Sequence, residues 1–168
     1  HFVFAPNGRH AYLINEIDST MIAYAYDGEA GKLMPLQTLS TLPAGWDTKN
    51  NPADVHVSPD GRFLYGSNRG HDSISVFAVD TASGRLTYVA NTPTQGETPR
   101  GFGIEPGGGY LLAGNQNSDS VVVFKIDRAT GTPRIVGGGT KDSYGNALQG
   151  EPLDIKPLDG TVKWAMEK

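Results

Sequence analysis

Five side chains spread along the first hundred residues could do chemistry together: His1, Glu16, His56, Arg69 and Arg100. Two guanidiniums suit a phosphate or a carboxylate, because each planar fork offers paired N–H donors to such a group. A glutamate or a histidine acts as general base toward water when its pKa is shifted toward neutrality. An arginine also stabilises the oxyanion that forms at an ester carbonyl. Such a set permits hydrolysis or closure of an anionic lactone. Several other chemistries lack their residues. With no Cys, the chain has no thiol nucleophile, disulfide or thiolate metal site. No Gly-x-Ser-x-Gly elbow supports a serine nucleophile. No His-Glu-x-x-His or EF-hand loop is present, and the glycine run at 137–139 lacks the lysine and helix of a phosphate loop. No metal and no cofactor are expected.

Whether these residues meet depends on the elements that carry them. Three segments align without a gap, from Pro6 to Gly31, Pro59 to Gly84 and Pro106 to Gly131. Each opens on a turn proline, and an Asn recurs at 15, 68 and 115. A Thr or Ser recurs at 20, 73 and 120, an Asp at 27, 80 and 127, and a Gly at 31, 84 and 131. Each repeat reads as four strands rich in Val, Ile, Phe and Tyr, bounded by turn residues. The first is Phe2–Ala5, Val55–Ser58 or Phe102–Glu105, and the second Ala11–Ile14, Phe63–Ser67 or Tyr110–Gly114. The third is Met21–Tyr26, Ile74–Val79 or Val121–Ile126, and the fourth lies near Leu33–Leu39, Leu86–Asn91 or Arg134–Gly137. Four strands in about 50 residues is the pattern of a propeller blade, and the fold class is all-β. The units run over about 1–47, 48–95 and 96–140. An incomplete unit at 150–168 follows a longer, polar, Gly-rich stretch that reads as a loop.

In a four-stranded meander the chain reverses at every turn, so the second-to-third turns and the outer-to-inner connections gather at one end. That end collects 15–19, 68–72 and 115–119, with 46–53 and 96–100. Its decisive position follows the repeated Asn, where Glu16, Arg69 and Gln116 differ while the Asn does not. A position that varies among acid, base and amide inside a fixed framework suits a ligand, although a solvated or inter-blade ion pair is the plainer reading. The Asn residues read first as turn caps, and Asn68 stands beside that reading as a candidate substrate contact. Period-two alternation puts Asp54, His56 and Ser58 on one face and Val55 and Val57 on the other. The same register puts His1, Val3 and Ala5 with the channel-facing set, and Phe2 and Phe4 with the core. His56 can equally be hydrogen-bonded to water or to Asp54. His71, in the polar turn, is a candidate contact or plain surface, and Trp46 a lid or a cover for the blade top.

Composition narrows the classes further. The 22 Gly and 11 Pro argue against a helical bundle, and much of that excess is turn punctuation. No apolar run approaches the roughly 18 residues of a membrane span. A net charge of −4 gives no general affinity for nucleic acid or anionic lipid.

The sequence resembles the lactonase family of seven-bladed propellers, which includes the propeller-type 6-phosphogluconolactonases and the carboxy-cis,cis-muconate cyclases. The resemblance rests on His-Phe-x-Phe-x-Pro-Asn-Gly-Arg at 1–9, Tyr-Leu-Ile-Asn-Glu at 12–16 and Pro-Ala-Asp-Val-His-Val-Ser-Pro-Asp-Gly-Arg-Phe-Leu-Tyr at 52–65. It continues in Ser-Asn-Arg-Gly-His-Asp-Ser-Ile at 67–74, Pro-Arg-Gly-Phe-Gly-Ile at 99–104 and Asn-Gln-Asn-Ser-Asp-Ser-Val at 115–121. It implies opening of 6-phosphogluconolactone in the pentose phosphate pathway, in the cytoplasm. Carried over by motif, the catalytic set is His1, Glu16, His56 and Arg69, with Arg100 as a substrate contact. From their place at the same end of the blades, His71, Gln116 and Asn68 are further candidate substrate contacts. A muconate-type lactonising enzyme and a non-catalytic binding propeller are the alternatives. The expected partner is a small anionic lactone, with no nucleic acid and no membrane. About three and a half blades are present where seven are expected. The chain therefore reads as the carboxy-terminal half of a ring, completed by preceding sequence or by a second copy and inactive alone. The hexapeptide at 159–164 is weakly similar to the tryptophan-bearing repeat of quinoprotein propellers.

Overall fold

A computed structural model describes residues 1–140; the incomplete unit at 150–168 and the hexapeptide within it lie outside the described residues. Those residues form twelve strands in three antiparallel sheets of four. Blade 1 holds β1 (Phe2–Phe4), β2 (His10–Asn15), β3 (Thr20–Asp27) and β4 (Lys32–Ser40). Blade 2 holds β5 (Asn51–Val57), β6 (Phe63–Arg69), β7 (Ser73–Val79) and β8 (Leu86–Pro93). Blade 3 holds β9 (Pro99–Ile104), β10 (Tyr110–Asn115), β11 (Ser120–Ile126) and β12 (Pro133–Thr140). Each sheet is a simple meander in sequence order, as four strands joined by short turns must be. Even the irregularities repeat. Pairing slips by one residue between Ala23 and Tyr24, Val76 and Phe77, and Val123 and Phe124, skipping Leu36, Val89 and Val136 on the outer strands. A bulge adds local twist, and here it recurs at one position in every blade.

Two strands begin earlier than the sequence pattern predicts. β5 starts at Asn51 and β9 at Pro99, because Asn51 and Pro52 pair with Arg69 and Asn68 across a bulge, and Pro99 pairs with Asn115. Part of the expected mouth loop is therefore ladder. β12 continues through the glycines, whose backbones pair with Val121–Val123.

The blades pack face to face through two cores. One joins blades 1 and 2 through Tyr12, Ile14, Met21 and Ala23 against Val55, Leu64 and Phe77. The other joins blades 2 and 3 through Phe63, Tyr65, Ile74 and Val76 against Phe102, Leu111, Val122 and Phe124. The Tyr12 hydroxyl donates to the Gly84 carbonyl at 3.3 Å, and the Tyr65 hydroxyl to that of Gly131 at 2.9 Å, so one device clamps both junctions. Burial pushes the Tyr12 phenol up to about 12, and Tyr65 rises for the same reason.

This packing corrects one expectation. Phe2 and Phe4 are 42% and 49% exposed, whereas Val3 and Ala5 pack into the first core. Phe2 and Phe4 occupy the places of Val55 and Val57, which blade 1 covers; among the described residues no blade covers that face of blade 1. Both faces of an inner strand look toward neighbouring blades, so the Asp54–His56 face meets Phe102 of blade 3 rather than simply lining a channel.

Candidate active site

The mouth is built on three copies of one turn. Ser19, Asp72 and Asp119 sit at its tip with φ of 50°, 51° and 44°, the left-handed conformation that lets the chain return in register. Behind it the repeated Asn crosses the strand pair. Asn15 donates to Thr20 Oγ1 at 2.9 Å, Asn68 to Ser73 Oγ at 3.5 Å and Asn115 to Ser120 Oγ at 3.2 Å. Asn68 is fully buried; its Oδ1 accepts from Thr41 and Asn50 and its Nδ2 donates to the Thr41 carbonyl. It ties the 41–50 connection to blade 2, and a ligand has no access to its side chain. Asn115 is buried likewise, with its Oδ1 unpartnered among the described residues.

Next to this framework the varying position opens a site. Glu16 and Arg69, from turns of adjacent blades, meet across the junction with Glu16 Oε1 2.5 Å from Arg69 Nη2. Arg69 also donates from Nε to the Asn51 carbonyl at 2.9 Å, and its Nη2 lies 3.4 Å from that of Pro52. Its side chain is 18% exposed against 60% for Glu16, so the guanidinium is held by backbone on one side and presents an edge on the other. The early start of β5 supplies those two carbonyls. Around the pair lies an open cleft of about 530 Å3, lined by His1, Ile14, Glu16, Pro52, Ala53, Asp54, Arg69, Arg100 and Gly101. That volume suits a small ligand. Arg100 is exposed and has no hydrogen-bond partner among the described residues, and Gly101 beside it adds no bulk.

Asp54 organises the inner wall. Its Oδ2 accepts from Phe102 N and meets His56 Nε2, both at 3.1 Å, while its Oδ1 accepts from Val55 N at 2.9 Å and lies 3.3 Å from His1 Nδ1. Burial alone would raise its pKa, but the hydrogen bonds from His56 and from the Phe102 and Val55 amides outweigh it and hold the carboxyl below its usual value. Sequence reasoning named Asp54 only as a partner for His56. The available signal was a carboxylate in the apolar run Ala53-Asp54-Val55.

The structure thus gathers His1, Glu16, Arg69 and Arg100 in one cleft, with His56 one carboxylate away. His56 is turned edge-on to Phe102, centroids 4.7 Å apart, and does not line the cleft. His71 hydrogen-bonds Ser73 at 2.6 Å and packs edge-on against Trp46 at 4.4 Å, away from the cleft lining, and burial lowers its pKa. Gln116 is exposed on the third turn and does not reach the cleft either. Trp46 covers the blade top, its indole donating to the Thr48 carbonyl. At the opposite end, a tighter cavity of about 100 Å3 carries Asp60, Arg62 and Arg128. There Arg62 lies on Asp60 at 2.8 Å and both arginines donate to carbonyls, so those charges already have partners.

Four-stranded blades packed face to face, with an arginine-lined cleft at one end, define a propeller suited to a small anionic ligand. The chain belongs to the lactonase family of seven-bladed β-propellers, whose model matches residues 1–143. It is 42% identical over 104 residues to the 6-phosphogluconolactonase of Pectobacterium carotovorum, a match covering 62% of this chain and 31% of that protein. Among solved structures it is similar to the periplasmic gluconolactonase of Pseudomonas aeruginosa, at TM-score 0.75 and 39% identity, covering 89% of this chain and 38% of that one. A Lactobacillus plantarum protein superposes at TM-score 0.79 and 36% identity, covering 82% of this chain and 40% of that one. The chain thus spans about 30% of the length of the curated relatives it matches.

Proposed function

We propose that this chain contributes the catalytic wall of a lactone hydrolase that opens a six-membered sugar-acid lactone, with 6-phosphogluconolactone as substrate. The observation that carries the reading is the cleft in which anchored Arg69 and unpartnered Arg100 flank Glu16 and His1. Arg100 takes the anionic group, since an exposed guanidinium without a protein partner has its whole fork available. Arg69 stabilises the oxyanion, because a donor fixed by carbonyls needs no reorganisation as charge develops. A base on the cleft wall takes the proton from the attacking water. The names of relatives support this chemistry, and they include both a phosphorylated and an unphosphorylated lactone. The uncovered apolar faces of blade 1, at Phe2 and Phe4, and of blade 3, at Leu112 and Val121, suit further blades that would close the ring around the cleft.

The test is lactone loss, with the spontaneous rate subtracted, for residues 1–140 grafted into the matching blades of the Pectobacterium relative. 6-Phosphogluconolactone and gluconolactone are compared side by side. Turnover of the phosphorylated lactone, with KM raised about tenfold by Arg100→Ala, supports the reading; one such ion pair accounts for about 1.4 kcal/mol. No turnover of either lactone by a folded chimera would remove it. Faster turnover of gluconolactone, unaffected by Arg100→Ala, would move the substrate to the unphosphorylated sugar acid.

A further inference from the structure

We infer that Asp72 is a positioning residue that sets where Arg100 stands in the cleft, and through it the preference for a phosphorylated over an unphosphorylated lactone. The placement of Arg100 stands on geometry alone; the preference rests on the lactone-opening reading.

Arg100 is weakly held by its own blade. β9 pairs Gly101 with Gly114 and Pro99 with Asn115, so Arg100 is the extra residue of a bulge and has no ladder partner. A bulge re-aims the side chain it carries. The Arg100 side chain is exposed and has no hydrogen-bond partner among the described residues either. Its direction is therefore set by the backbone that leads into it. Pro99 has a fixed φ, which passes the decision back to Thr98.

Thr98 has φ of 59°, a conformation that a β-branched residue adopts only when its surroundings impose it. Two neighbours impose it. Its carbonyl accepts from the Gln116 amide of blade 3 at 2.9 Å, and its amide donates to Asp72 Oδ1 of blade 2 at 2.8 Å. The same Oδ1 accepts from the Gly70 amide at 3.1 Å, immediately after Arg69. One carboxylate oxygen thus joins the backbone beside one cleft arginine to the backbone leading into the other. The Asp72 carbonyl adds a second tie, accepting from the Thr94 amide at 2.9 Å and the Thr94 hydroxyl at 3.0 Å. Asp72 does not line the cleft, so it acts through these bonds and not on the ligand. Blade 1 has a counterpart: at the same tip Ser19 Oγ accepts from Asn50 Nδ2 at 3.0 Å, and Asn50 leads into β5.

The two arginines depend on this clamp unequally. Arg69 keeps its own anchors on the Asn51 and Pro52 carbonyls, whereas Arg100 has none among the described residues. Without the carboxylate, Thr98 loses its amide bond and relaxes toward negative φ, which turns the chain at Pro99 and carries Arg100 off the cleft wall. Loss of Asp72 should therefore act as a partial loss of Arg100: binding of the phosphate suffers and the chemical step does not.

Hydrogen exchange and kinetics test the placement and the preference separately. Asp72→Gly removes the carboxylate while keeping a residue at ease with φ of 51°. In the full chain the Thr98 amide should then exchange at least about tenfold faster, because it has lost its acceptor. Asp72→Asn, which keeps an acceptor oxygen, should restore most of the protection. In the grafted enzyme Asp72→Gly should raise KM for 6-phosphogluconolactone about fivefold with kcat nearly unchanged, the scale of residues coupled through a backbone shift. KM for gluconolactone should not move. Once Arg100→Ala is present, Asp72→Gly should add less than about twofold. Asp72→Ser, carrying the side chain of blade 1's tip, should give the same readings if the glycine variant does not fold. Thr98 exchange unchanged in a folded variant would overturn the clamp, whether or not a lactone is turned over. Faster exchange with KM unchanged, in an enzyme that opens lactones, would overturn the specificity role and leave the lactonase reading in place. A parent chimera that opens no lactone would remove that reading and the preference with it, while the exchange result would still decide the clamp.

Discussion

At the end of the blades made by the Pro-Gly and Asp…Gly turns, the repeated acid serves its own turn. Oδ1 of Asp27, Asp80 and Asp127 each accepts two backbone N–H groups, and a Gly with φ between 62° and 73° closes each turn. At the mouth the repeated Asn instead donates across its strand pair to a Thr or Ser hydroxyl, and the residue after it differs in each copy. Arg62 at the first end lies on an aspartate two residues away and on a carbonyl of the next blade. Arg69 at the mouth reaches its acid partner across a blade junction, inside a cleft. Where a repeat keeps a residue, the residue builds the repeat. Where the repeat is kept and one neighbour is not, that neighbour does something else: Glu16 and Arg69 pair across a blade junction in the cleft lining, and Gln116 is exposed outside it.

The sharpest way to break this contrast is to remove one arginine from each end. Arg69→Ala should lower kcat in the grafted enzyme by about 100- to 1,000-fold, the range for loss of one oxyanion donor. Its urea midpoint should fall only slightly. Arg62→Ala should leave kcat alone, because its pair is exposed and such pairs contribute at most about 1 kcal/mol. Equal effects on kcat would erase the distinction. The reverse experiment is Gly131→Ala at the turn end. With φ of +73° and a Cβ that would overlap the Phe63 ring, it combines backbone strain with overpacking and should cost about 2–3 kcal/mol of stability. The carbonyl that Tyr65 clamps belongs to the same residue, so the blade 2–blade 3 junction should loosen first. Chemical denaturation measures the loss, and kcat per folded molecule should be unchanged.

Most of the architecture was legible because the repeat is written in turn residues. Pro6, Gly8, Asp27 and Gly31 and their copies mark turns whose conformations few other residues adopt, and the strands between them have no other place to go. What was not legible came from neighbours. Phe2 and Phe4 read as core because their register matches Val55 and Val57; the register is right, but burial depends on a facing blade, which no local pattern encodes. Asn68 and Arg69 are adjacent in sequence, and only the cross-blade contacts separate a sealed cap from a cleft wall. Asp54 was overlooked as an organiser because its partners His1 and Phe102 lie about fifty residues away on either side. The bulge that starts β5 at Asn51 was hidden too, and with it the carbonyls that anchor Arg69.

The smallest effect compares the two ends under acid. Asp80 is exposed at the turn end, and its pKa is lowered first by the backbone amide of Ser83, then by that of Ala82 and the Ser83 side chain. Asp54 at the mouth is lowered against burial by His56 and two amides. A folded-state pKa below the unfolded value of about 3.9 contributes stability present above that value and lost as pH falls through the folded one. Both ends should therefore weaken in the same direction below about pH 4. Replacing either acid by Asn removes its titration while keeping an acceptor oxygen, so the gap between urea midpoints at neutral and acid pH should narrow in Asp80→Asn and in Asp54→Asn alike. Only the mouth variant should also change kcat at neutral pH, because only that carboxylate lines the cleft. An Asp80→Asn chain whose midpoints keep the full gap would show that the turn end takes no part in acid stability, and the contrast between the ends would then extend from ligand chemistry to folding.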